Sequence, residues 1–180
     1  MHNSVLIVPG INNSDAHHWQ TRWQARHPDW KRLAARNWDQ VDCDDWVQTI
    51  EQHIHELGPD TVIVAHSLGC LAVAHWAARS EQARHIRGAL LVAVPDPASL
   101  SFPVSAASGF RYTPVPAFEF ECMVVSSSND PYASTEYTRD WAVSRGAEWI
   151  DMGAKGHLSS ANGLQDWFEG YQLLQKLSSH

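Results

Sequence analysis

Hydrophobic residues in this chain cluster in short runs, and the runs are separated by stretches with a helical period. Val5-Leu6-Ile7-Val8 is an apolar run ended by Pro9-Gly10, and it predicts a buried strand. A polar loop from Ile11 to Ala16 leads into a predicted helix over 17–26, with Ser14 or Asp15 as its cap. Leu33-Ala34-Ala35 is a weak second strand. A helix is predicted from 42–45 to Leu57, stopped by Gly58-Pro59. Thr61 to Ala65 is the third strand, and an Ala-rich helical stretch follows over 70–79.

The pattern then repeats. Ala89 to Val94 predicts a fourth strand and Met123 to Ser126 a fifth, followed by a helix over 133–145 closed by Gly146. Ala147 to Asp151 is a short sixth strand. The last helix is predicted over 164–177, with Trp167, Phe168, Tyr171 and Leu174 at the i, i+3, i+4, i+7 spacing of one face. Strands that are continuous apolar runs, rather than alternating ones, are buried on both faces. Strand and helix in turn therefore predict an α/β fold: a three-layer α/β/α sandwich around a mostly parallel sheet of about six strands. No repeat or linker interrupts it, so residues 1–180 are expected to form a single domain.

The one break in the alternation is 97–118, rich in Pro, Ser and aromatics. Phe102, Phe110, Tyr112 and Phe118, with Pro103, Pro114 and Pro116, fit either a short, stiff apolar lid or an ordinary packed loop. As a lid it would be short and would favour small or flat substrates.

Composition narrows the partners. The formal charge is −7, with no basic stripe, which argues against nucleic acid. No apolar run reaches the length of a membrane span, and the amino terminus does not read as a secretion signal. Cys43, Cys70 and Cys122 are odd in number and widely spaced. These features together predict a reduced, cytoplasmic protein without a membrane partner.

Candidate chemistry lies at the end of the third strand. Ala65-His66-Ser67-Leu68-Gly69 is small-x-Ser-x-small between a strand and a helix, the setting of a nucleophile elbow. Its first position is Ala rather than the usual Gly, and a Ser there could also simply cap a helix. A nucleophilic serine needs a base and a group to orient that base. In such folds both follow later strands, in the order Ser, acid, His. Asp130 follows the fifth strand, although Asp-Pro also favours turns. It ranks above Asp96, after the fourth strand; Asp151 is a further competitor. His157 is the only histidine between the sixth strand and the last helix. For an oxyanion hole, the backbone N–H of Leu68 is the first expected donor. The second comes from the loop after the first strand, Ile11 before Asn12.

The chain resembles the small serine hydrolases grouped with retinoblastoma-binding protein 9, within the α/β-hydrolase superfamily. The resemblance is carried by Val8-Pro9-Gly10, His18-Trp19, the elbow, Ser127-Ser128-Asn129-Asp130-Pro131-Tyr132, Gly156-His157, Gly163-Leu164 and Trp167-x-x-Gly170. It implies a Ser67–Asp130–His157 triad and hydrolysis of carboxylic esters or related acyl compounds, with no metal or other cofactor and a small-molecule acyl substrate. No Leu-x-Cys-x-Glu pocket-binding motif is present, so protein partners remain unassigned. Three alternatives compete: a binding module on a catalytically weak hydrolase scaffold, acyl transfer or thioester or peptide cleavage at the same site, and metal chemistry. The last is disfavoured because His53 and His55 diverge on a helix, as do the adjacent His17 and His18. Cys70 lies inside the helix after the elbow and is a poor nucleophile candidate.

Overall fold

The computed structural model describes residues 4–111 and 116–179. In chain order the elements are β1 (Val5–Val8), α1 (Trp19–Arg26), β2 (Lys31–Arg32), β3 (Val41–Asp42), α2 (Cys43–Leu57), β4 (Val62–His66) and α3 (Leu68–Ala77). They continue with β5 (Gly88–Val92), β6 (Ala107–Ser108), β7 (Glu121–Ser126), α4 (Thr135–Val143), β8 (Glu148–Asp151) and α5 (Phe168–Ser179). Six strands form one sheet in the order β2-β1-β4-β5-β7-β8, and every pairing in it is parallel. This is the predicted α/β architecture.

The apolar runs become strands because both faces of the sheet are covered, and alternate residues feed two separate cores. Leu6 and Val8 of β1, Ile63 and Ala65 of β4, and Leu91 of β5 face α2, α3 and α4, where Trp46, Ile50, Leu71, Trp76 and Trp141 pack on them. Val5 and Ile7, Val62 and Val64, and Leu90 and Val92 face α1 and α5, against Trp19, Trp23, Leu174 and Leu177. The tryptophans are thus mostly filler between helix and sheet, each contributing a large apolar area.

Several boundaries differ from expectation. The second strand is Lys31–Arg32, not Leu33–Ala35. Leu33 still donates its N–H to the Ile7 carbonyl, but its side chain turns into the core at 2% exposure. His18, rather than Ser14 or Asp15, caps α1: its side chain accepts from the Gln20 N–H. Asp15 instead accepts from the His17 N–H, and the Ser14 hydroxyl donates to the Gln20 side-chain oxygen. The last helix begins at Phe168, four residues late, because Gln165 and Trp167 have positive φ of 50° and 38°. Phe168 is consequently exposed, and Gly170, Leu173, Leu174 and Leu177 form the buried face.

The sequence pattern missed β3 and β6. They pair in parallel, Val41 with Ala107 and Asp42 with Ser108, and fasten the 97–118 segment to the start of α2. Asp42 caps that helix through the Asp45 N–H. Phe102 and Phe110 are buried in the core below the segment, and Phe118 stacks on Phe120. Tyr112 and Pro114 lie outside the described residues. Among the described residues no helix is long and apolar enough to cross a membrane.

Among the glycines, the tightest approach to other backbone is that of α3 to the end of β1. A β-carbon added at Gly69 would lie 2.5 Å from the carbonyl oxygens of both Val8 and Pro9, and neither strand nor helix can move away cheaply. Gly69→Ala is expected to lower the free energy of unfolding by at least about 1–3 kcal/mol, measured as a lower urea midpoint at unchanged slope.

Candidate active site

Ser67 occupies the single residue between β4 and α3, with φ 54° and ψ −124°. A side-chain-bearing residue at positive φ costs about 1–3 kcal/mol. It persists here because β4 is paired on both sides, to β1 and β5, and because α3 is fully packed. The departure Ala65 is accommodated inside β4, where it is completely buried. The small residues that the turn needs are Gly69, under β1, and Gly10, opposite. A β-carbon at Gly10 would stand 3.0 Å from Ser67 Cβ and 3.6 Å from the Leu68 nitrogen, so the loop after β1 runs directly against the elbow.

Three side chains predicted separately meet at this turn. His157 Nε2 lies 2.8 Å from Ser67 Oγ, although the two residues are 90 apart in sequence. On its other side, His157 Nδ1 lies 2.9 and 3.0 Å from the two carboxylate oxygens of Asp130. A carboxylate can only accept, so Nδ1 carries the proton and Nε2 presents a lone pair to the serine hydroxyl. The Asp130 side chain is 2% exposed and that of His157 16%, which keeps the pair mostly out of water while leaving the imidazole edge open. Asp130 also accepts from the Tyr132 N–H, and the Tyr132 ring packs on that of His157 at 4.5 Å between centroids. Asp96 and Asp151 are engaged elsewhere: Asp96 accepts from the Ala98 N–H and Asp151 from the Gly153 N–H.

The loops that carry Asp130 and His157 are stitched together by polar groups that sequence reasoning did not single out. Asn129 Oδ1 accepts from the Ser127 hydroxyl and from the Gly156 N–H. The Ser127 hydroxyl accepts in turn from the Lys155 N–H. Gly156, at φ +60°, passes so close to Asn162 that an added β-carbon would meet its amide at 2.0 Å; a larger residue just before His157 would be strained and would displace the Asn162 side chain. Asn129 was legible only as part of a Ser/Asn/Asp turn, since its partner lies 27 residues on.

The expected oxyanion donors divide. The Asn12 N–H is committed to the Trp38 carbonyl at 2.7 Å, which corrects its candidacy. The Ile11 N–H has no acceptor among the described residues, and Leu68 is the first residue of α3, where a backbone N–H has no partner within the helix. Both border a cavity of about 470 Å³ whose floor is Ser67 and His157 and whose walls include Phe102, Pro103, Tyr132 and Asp39. Phe102 and Pro103 come from the 97–118 segment, so that segment forms one wall of the site.

Two further histidines line the cavity. His66 is pushed well below the usual imidazole range by complete burial, reinforced by His18 and His157 nearby. His18 is pushed down to about 4, chiefly by burial and partly offset by Asp15. Both are therefore neutral near pH 7, and their rings meet edge to face at 4.7 Å. The Cys70 thiol is driven upward by burial and donates to the Val92 carbonyl, far from nucleophilic character. Among the described residues no three His, Cys, Asp or Glu side chains converge on a metal-sized site.

A parallel sheet with helices on both faces, and a strained serine at the end of a central strand beside a histidine and a buried carboxylate, define an α/β-hydrolase. The chain belongs to the serine hydrolase family, whose sequence pattern matches residues 5–176. YdeN of Bacillus subtilis strain 168 is 24% identical over 171 residues, 91% of this chain and 90% of its own length. The crystal structure of the YdeN gene product shares the fold, with a TM-score of 0.77 over 99% of this chain and 100% of that one. A YdeN-like protein from Pectobacterium atrosepticum SCRI1043 is 28% identical, with a TM-score of 0.85 over 97% of this chain and 90% of that one. A thermophilic esterase from Thermogutta terrifontis shares the fold at 14% identity and a TM-score of 0.70, over 99% and 92% of the two chains.

Neutral burial of His18 has a consequence for stability. Its pKa is about 4 when folded, against an ordinary value of 6.5. Between those values the unfolded chain holds more protons, so stability rises with pH across the window and falls on acidification. Lowering the pH from 6.5 to 4 is expected to remove about 3 kcal/mol through His18. Urea midpoints recorded across that range should show the fall. His18→Asn, which can still cap α1, should make it shallower, with the buried His66 contributing in the same direction.

Proposed function

We propose that this serine hydrolase cleaves small carboxylic esters or related acyl compounds, with Ser67 as nucleophile, His157 as general base and Asp130 as the group that orients it. The observation that carries the reading is the unbroken hydrogen-bonded line from Asp130 through His157 to Ser67 on the floor of a cavity. The neutral His157 takes the serine proton through Nε2 as Ser67 Oγ attacks the acyl carbonyl. The imidazolium that forms faces the Asp130 carboxylate, which stabilises it in a mostly dry setting. The N–H groups of Leu68 and Ile11 receive the oxyanion. His157 then returns the proton to the leaving alcohol, and a water activated by the same nitrogen releases the acid and restores Ser67.

Within the family, the motifs that run from Val8-Pro9-Gly10 to Trp167-x-x-Gly170 favour the group around retinoblastoma-binding protein 9. The cavity volume of about 470 Å³ and the pinned wall of Phe102 and Pro103 favour short or flat acyl groups over long chains.

Ser67→Ala is expected to reduce turnover of a short p-nitrophenyl ester by about 10³-fold or more. A fluorophosphonate probe should label Ser67 in the wild-type protein and fail to label His157→Ala, read by intact and peptide mass spectrometry. Undiminished ester cleavage by Ser67→Ala would remove the assignment.

A further inference from the structure

His157 sits on a loop, and a loop does not by itself hold an imidazole at 2.8 Å from a serine. The loop is also unusual in its backbone: Gly156 and Leu158, on either side of His157, both have positive φ, of 60° and 51°. Something must hold such a segment in place. Two buried side chains do so, and they grip consecutive carbonyls. His66 Nε2 lies 2.9 Å from the His157 carbonyl oxygen, and Trp19 Nε1–H donates to the Leu158 carbonyl at 2.8 Å. A carbonyl can only accept, so His66 is the Nε2–H tautomer.

The origin of the first grip is informative. His66 is the last residue of β4 and the immediate neighbour of Ser67. Its backbone is paired to Val92 of β5, its side chain is 5% exposed, and its ring packs on those of His18 and Trp19 and on His157 at 5.0 Å. One rigid side chain therefore spans from the residue before the nucleophile to the backbone of the base. The second position of the small-x-Ser-x-small pattern, which the pattern treats as free, is thus a mechanical link between the strand that carries Ser67 and the backbone of His157.

We propose that His66 is a positioning residue: by donating to the His157 carbonyl it sets the distance between the His157 imidazole and Ser67. The inference rests on Ser67 and His157 acting as nucleophile and base. It requires a donor of this length at position 66 and an aromatic-sized filler is not enough. Catalytic groups displaced by about an ångström lose about 10²-fold in rate, which scales the expectation.

The test uses two variants with opposite chemistry. His66→Phe keeps the ring and its packing but removes the donor, whereas His66→Gln places an amide N–H close to the position of Nε2. In His66→Phe the rate of Ser67 labelling by a fluorophosphonate and kcat for a short ester should both fall about 30- to 100-fold, with KM within twofold of wild type. In His66→Gln both should recover to within about fivefold of wild type, with both variants folded by circular dichroism. Wild-type rates in His66→Phe would overturn the proposal, and so would equal losses in the two folded variants. Should His66→Phe not fold, nitrogen NMR of 15N-histidine-labelled wild-type protein decides. A slowly exchanging proton on Nε2 of His66 is expected, and the Nδ1–H tautomer would overturn the link. Absence of wild-type labelling at Ser67 would instead remove the functional reading, a distinguishable result because the His66 resonance would be unaffected.

Discussion

The structure hinges on how closely the first turn of α3 is pressed beneath the end of β1. Gly69 under the Val8 and Pro9 carbonyls and Gly10 against Ser67 leave no room for the chain to round the corner at ordinary dihedral angles. Ser67 takes up the strain, at φ 54°. That cost is met by the surrounding pairing: β4 is bonded along its length to β1 on one side and β5 on the other. Ser67 is thus the point where a strand paired on both sides has to change direction. Strain here is a by-product of packing that also lifts a hydroxyl out of the sheet.

From that corner the rest of the site follows by contact. The loop after β1 runs across the front of the elbow, the loop after β7 brings Asp130, and the loop after β8 brings His157. Neutral polar groups tie these loops to each other. His66 and Trp19 satisfy carbonyls that would otherwise be stranded in a mostly dry interior, where an unmet hydrogen bond costs about 1–3 kcal/mol, while Ser127 and the exposed Asn129 hold the Lys155 and Gly156 N–H groups nearer the surface. Burial explains why His18 and His66 can serve as neutral structural groups beside the histidine proposed as the base. Desolvation holds the first two uncharged, while His157 has a carboxylate to face its charge.

Much of this was legible beforehand, and the parts that were not have a common cause. Runs such as Val62-Ile63-Val64 or Leu90-Leu91-Val92 announce themselves because a doubly covered strand must be apolar throughout. Ser67, Asp130 and His157 could be picked out because each lies in the loop or turn shortly past a predicted strand. Lys31–Arg32, Val41–Asp42 and Ala107–Ser108 could not, since a two-residue strand has no period and exists only through its distant partner. The start of α5 was misplaced for a related reason: Leu164 and Trp167 continue the apolar spacing of a helix, but positive φ at Gln165 and Trp167 is chosen by tertiary packing. In the site, the orienting groups His66 and Asn129 were hidden because their acceptors and donors lie 91 and 27 residues away.

The all-parallel sheet also governs when the site comes into being. Parallel neighbours are never joined by a tight turn, so every pairing here closes a long loop before it is rewarded, and folds of this kind are correspondingly slow. The Ser67–His157 contact needs β4, β5, β7 and β8 all docked, and β8 is a four-residue edge strand that is exposed at both ends. A chain with only its amino-terminal half in place would hold the strained Ser67 without His157 beside it. The Ser67–His157 pair therefore exists only in molecules whose edge strand β8 has joined the sheet.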